Sequence, residues 1–107
     1  LLNDVQHFEA ARAFANRIME TAKTPEARIE FAYRSVPARQ PDETESGVVL
    51  EFFKRQLVKY QAAPGEAKKA INFGDSKPPA GVDEAELAAW TLVANLILNL
   101  DEAIVRN

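Results

Sequence analysis

No cysteine occurs in this chain, which excludes disulfides, thiolate nucleophiles, zinc–thiolate sites and covalent c-type haem attachment within it. Histidine is nearly as scarce. The single one, His7, stands beside Phe8 with no motif around it and reads as an ordinary surface histidine, since catalysis would need a nucleophile or carboxylate brought to it by the fold. With one histidine and no thiol, a metal would have to be held by carboxylates. The best acidic cluster, Asp83-Glu84-x-Glu86, lacks the alternating oxygen ligands and central glycine of a calcium loop. No cofactor site is read in the chain.

Long apolar runs are missing too. None approaches the roughly 18 residues that a membrane-spanning helix requires. No segment alternates apolar and polar residues over a strand's length between turn signals, so no sheet is expected. Gly65, Gly74 and Gly81 are too far apart for a dinucleotide or phosphate loop. Ser35, Ser46 and Ser76 lack the strand–turn–helix setting of a nucleophile elbow. A surplus of positive charge is absent as well: 13 Lys and Arg stand against 16 Asp and Glu, a balance that disfavours broad binding to nucleic acid or anionic lipid.

What is present is a globular composition. The 107 residues are 47% hydrophobic and 27% charged, enough for one domain around one core. The periodicity is helical throughout. Phe8, Ala11, Ala15, Ile18, Met19 and Ala22 recur at three- and four-residue steps and predict a helix from about Asp4 to Ala22, capped by Asn3 or Asp4. Thr24 before Pro25 starts a second, with Ile29, Ala32, Tyr33 and Val36 inside and Pro37 as its end. After the connection Ala38-Arg39-Gln40-Pro41-Asp42, the spacing of Asp42 and Glu45 is that of a capping box. The third helix then runs to about Ala63, with Val49, Phe53, Leu57 and Tyr60 on its inner side, Phe52 beside them, and Pro64-Gly65 terminating it.

Residues 64–82 hold three of the six prolines and three of the four glycines. They predict the principal loop, with a short helical turn over 66–71 as its only regular part. Asp83 with Glu86 repeats the capping signature, and the last helix carries Leu87, Trp90, Ala94, Ile97 and Leu98 toward Ile104. The expected architecture is therefore all-α, a compact bundle of about four helices with one long Pro/Gly-containing loop before the last. Trp90 lies on an apolar stripe and reads as core. Lys54, Arg55 and Lys59 read as a solvated face of the third helix. Asp101-Glu102 could be a carboxylate pair for acid–base work, but adjacent helical residues point about 100° apart, so solvated charge is the plainer reading.

Several local patterns, taken in order, are similar to a family: the C-terminal domain of unknown function of large planctomycete surface proteins that often carry a cytochrome c module. Leu2-Asn3-Asp4 followed by Phe8-Glu9-Ala10-Ala11-Arg12 and Arg17 resembles its opening helix. Tyr33-Arg34 and Arg39-Gln40-Pro41 with Glu45 resemble its Arg-x-Pro turn, and Trp90, Ala94, Leu98-Asn99-Leu100-Asp101-Glu102 its closing segment. Pro37 departs from that pattern, where a helix-compatible aliphatic residue is expected. The resemblance implies an exported protein at the periplasm or cell surface, with haem c elsewhere in the parent chain and a link to redox or polysaccharide-degrading machinery. It establishes no catalytic residue. The motif positions it marks are Arg39, Pro41, Glu45, Trp90, Asn99, Asp101 and Glu102.

Two functions follow as expectations. The first is a non-catalytic structural or interaction domain, the C-terminal part of a larger protein, whose partners are the domains upstream of Leu1. The abrupt opening on Leu1 and Leu2 then marks where the chain enters its neighbour. The alternative is a portion of an enzyme active site completed by upstream domains, with Arg39, Asn99, Asp101 or Glu102 reaching into a shared cleft.

Overall fold

The computed structural model describes the backbone of residues 5–36, 40–72 and 77–106, and the side chains of 7–36, 40–72 and 77–101. It contains five helices in the order α1 (Val5–Thr21), α2 (Pro25–Arg34), α3 (Glu43–Ala62), α4 (Pro64–Ile71) and α5 (Glu84–Arg106), and no strand among the described residues. The all-helical reading holds, with one helix more than expected. None of these helices is long and apolar enough to cross a membrane, among the described residues.

The start signals act through their side-chain oxygens. Thr24 Oγ1 accepts from the Ala27 amide at 3.1 Å, Asp42 Oδ1 from the Glu45 amide at 2.7 Å, and Asp83 Oδ2 from the Glu86 amide at 3.0 Å. Each satisfies one of the amides that a helix start leaves without an intrahelical partner. Pro25 sits in the first turn of α2, where the missing N–H costs nothing. The expected cap of α1 at Asn3 or Asp4 and the expected stop at Pro37 lie outside the described residues, and α2 ends at Arg34.

The fifth helix, α4, occupies the first part of the expected loop and extends the short helical turn expected over 66–71 back to Pro64. Pro64 bars the helical conformation at Ala63, whose φ is −135° and ψ 74°, so α3 stops there. The same proline then opens α4 at its first position. A residue read as a terminator is thus also an initiator. Ala67 and Ile71 of α4 are buried, and the described irregular part of the connection is Asn72 and residues 77–83. Gly81, with φ +81°, takes the left-handed turn that a side chain would strain, two residues before the Asp83 cap.

The last helix is the centre of the molecule. Leu87 to Thr91 are all buried, as are Val93, Ala94 and Ile97. A continuous run of this kind means that α5 is covered on every side rather than on one stripe, and it packs against each of the other four helices. Around it lie Ala11, Phe14, Ala15 and Ile18 of α1, Ile29, Ala32 and Tyr33 of α2, and Val49, Phe53 and Tyr60 of α3. Val36, beyond the end of α2, is also buried. Trp90 is fully buried and stacks on Phe53, with ring centroids 4.1 Å apart and planes 24° from parallel. Leu57 and Phe52 pack at the edge of this core.

Candidate functional site

Two buried or half-buried arginines organise the polar interior. A helix ends with carbonyls that lack intrahelical donors and with a partial negative charge, so a cation placed there satisfies both. Arg28 of α2 does this for α1: its Nε donates to Ala22 O at 2.8 Å and Nη2 to Met19 O at 3.2 Å. Its Nη1 donates to Glu86 Oε2 of α5 at 3.2 Å, and the guanidinium lies 5.7 Å from the centre of the Trp90 ring. One side chain thereby ties α1, α2 and α5 together. Arg12 of α1, itself buried, donates from Nη1 to Ile71 O at 2.6 Å and closes the end of α4.

Several open grooves lie on the described surface. The largest, of about 690 Å³, lies between Tyr60, Ala67 and Ile71 on one side and Pro78, Pro79 and Leu87 on the other. Tyr60 lines it together with Gln61, Asp83 and Glu84. Burial, and then the Glu66 carboxylate, push the Tyr60 phenol above the ordinary value, so the hydroxyl stays protonated and can act as a donor rather than as a base or nucleophile. On the far side of residues 79–83 is a second groove of about 380 Å³, lined by Asn16, Lys23, Arg28 and Glu86 among others. A third, of about 410 Å³, lies between α2 and the start of α3, with Ile29, Arg34, Pro41, Gly47 and Leu50 in its walls.

The motif positions marked by the sequence do not converge on one groove. Pro41 lines the groove between α2 and α3. Glu45 is half-buried in the first turn of α3, its amide engaged by Asp42. Trp90 is in the core, where its Nε1 has no hydrogen-bond acceptor. Asn99 is buried on α5 and donates to Asn95 O at 2.9 Å, and Asp101 is half-buried two residues on. The three grooves above have neither Asn99 nor Asp101 in their walls. Arg39, the Glu102 side chain, Leu1 and Leu2 lie outside the described residues. His7 is half-buried rather than fully on the surface, edge-on to Phe8 at 6.5 Å.

Among the described residues no three His, Cys, Asp or Glu side chains come together in a way that could hold a metal ion. The expected carboxylate cluster is divided between tasks: Asp83 caps α5 and Glu86 pairs with Arg28. Sequence reasoning missed Arg12 and Arg28, because their partners are mainly backbone carbonyls, which no residue type announces. Comparison with family models, with curated proteins and with solved structures gave no match.

Proposed function

We propose that this chain is a non-catalytic structural or interaction domain of a larger exported, redox-linked protein, and that it works by docking on the rest of that protein. One observation carries the reading: the side chains best equipped for chemistry are committed to helix ends. Arg28 and Arg12 hold the ends of α1 and α4, while Thr24, Asp42 and Asp83 hold the starts of α2, α3 and α5. A guanidinium locked by two backbone carbonyls and a carboxylate positions helices; it is not poised to bind a reacting group. The exported setting, and haem c elsewhere in the parent protein, rest on the resemblance to the planctomycete surface-protein domain.

The test is calorimetric titration of the isolated chain with the upstream part of its parent protein. Association at tens of micromolar or tighter, with no hydrolase or redox turnover by the isolated chain, is the expected result. Turnover by these 107 residues alone, or no association, overturns the proposal. A parent gene without a signal peptide and a CxxCH sequence removes the exported, haem-linked part of it.

A further inference from the structure

The outer face of α3 has a self-complementary pattern. Thr44, Val48, Glu51, Arg55, Val58 and Ala62 follow one another at alternating four- and three-residue steps, all are exposed, and at 100° per residue they share roughly an 80° arc opposite the buried Phe53. Among the described residues, Val48 and Val58 are the two large apolar side chains left most open to solvent, at 61% and 65% exposure. The spacing is symmetric about Phe53. Val48 and Val58 each stand five residues from it, Glu51 and Arg55 two, and Thr44 and Ala62 nine.

Charge along the helix is segregated in the same sense. Glu43, Glu45 and Glu51 occupy its first half, Lys54, Arg55 and Lys59 its second. A parallel pair of such helices sets acid against acid. An antiparallel pair about a two-fold axis at Phe53 sets Val48 on Val58, Glu51 against Arg55 and Thr44 against Ala62 of the second copy, each contact occurring twice, as an isologous interface requires.

We infer that the occupant of this face is a second copy of the chain, bound through an antiparallel α3–α3 seam. Two helix stripes fall at the low end of interface sizes, below about 1,200 Å², so the pairing is weak and concentration-dependent. It uses a face separate from the groove walls and from the arginine anchors described above.

Sedimentation equilibrium of the isolated chain at low salt, up to about 1 mM, should show a monomer–dimer equilibrium that weakens as salt is added. Glu51→Arg and Arg55→Glu each turn two attractive pairs into two repulsive ones, and each should weaken self-association about fivefold or more. Mixing the two variants should restore it, because each then meets its opposite charge. The register has its own readout, since the chain has no cysteine. Under mild oxidation a mixture of Val48→Cys and Val58→Cys chains should cross-link, whereas either alone should not, its two thiols lying about 15 Å apart along the seam. All four substitutions are at exposed positions, and circular dichroism reports whether the helices persist. A monomer at the highest concentration, a dimer indifferent to both charge reversals, or self-cross-linking of the Val48→Cys chain overturns the inference.

Discussion

Replacing Arg28 with Ala should destabilise the chain by about 2–3 kcal/mol. The side chain is only 12% exposed, and its three hydrogen bonds end on Ala22 O, Met19 O and Glu86. Bonds from an ionised donor contribute roughly 1.5–3 kcal/mol each, but the two carbonyls close the C-terminal turn of α1 and regain some hydration once exposed, so about half of their combined contribution, roughly 1.5–3 kcal/mol, is lost with the side chain. Glu86 is 38% exposed, so the ion pair itself supplies less than about 1 kcal/mol. The ordering follows: Glu86→Gln costs little, Arg28→Lys an intermediate amount because an ammonium lacks the planar fork, and Arg28→Ala the most. Urea unfolding followed by circular dichroism at the helical band avoids the change that a missing guanidinium makes to nearby Trp90 emission. At about 4 °C per kcal/mol, the Ala variant should melt about 8–12 °C lower. Equal costs for Arg28→Ala and Glu86→Gln would show that the ion pair, not the capping of α1, is what Arg28 contributes.

Trp90→Ala should cost on the order of 3–5 kcal/mol, and the parent emission should be blue-shifted and poorly quenched by iodide; water-like emission contradicts the stack on Phe53. Asp42→Ala and Asp83→Ala should each cost about 1 kcal/mol, and the double variant should show the sum in chemical denaturation. The raised phenol of Tyr60 favours the folded state while neutral, so its contribution is complete below the unfolded-state value near 10 and fades as pH rises through the folded one. Tyr60→Phe should therefore hold its stability further into alkali than the parent, and identical alkaline limbs would contradict the burial. Limited proteolysis should cut first near Lys77, because Lys68 and Lys69 lie within α4; early cleavage at those two would mean α4 is not formed.

Much of this architecture was legible because helix starts are written in side chains. A Thr, Asp or Asp followed three residues later by a free amide is a local chemical statement, and Thr24, Asp42 and Asp83 each carry it out. Helix α4 was harder. Pro64-Gly65 satisfies the pattern for an end, and the turn expected over 66–71 is a full helix because Pro64 also serves as its first residue and Ala67 and Ile71 are buried. The arginine anchors were illegible for a related reason: Arg12 reaches a carbonyl 59 positions away. The apolar stripe of α5 was visible, but Ala88, Ala89 and Thr91 are buried beyond it because neighbours surround the helix, which periodicity alone does not register. The motif positions form a group only in sequence order, and the structure distributes those it describes among a cap region, a groove wall and the core.

The central position of α5 also orders events during synthesis. A ribosome delivers α1 to α4 first, at roughly 5–20 residues per second, and each of them emerges with its apolar side facing an absent neighbour. Arg28 cannot meet Glu86, nor Phe53 its stacking partner, until the segment from Glu84 onward has cleared the exit tunnel. Helices as short as α2 and α4, of 10 and 8 residues, are marginal without a packing partner, so the nascent chain carries exposed apolar faces around a missing axle until that last element arrives.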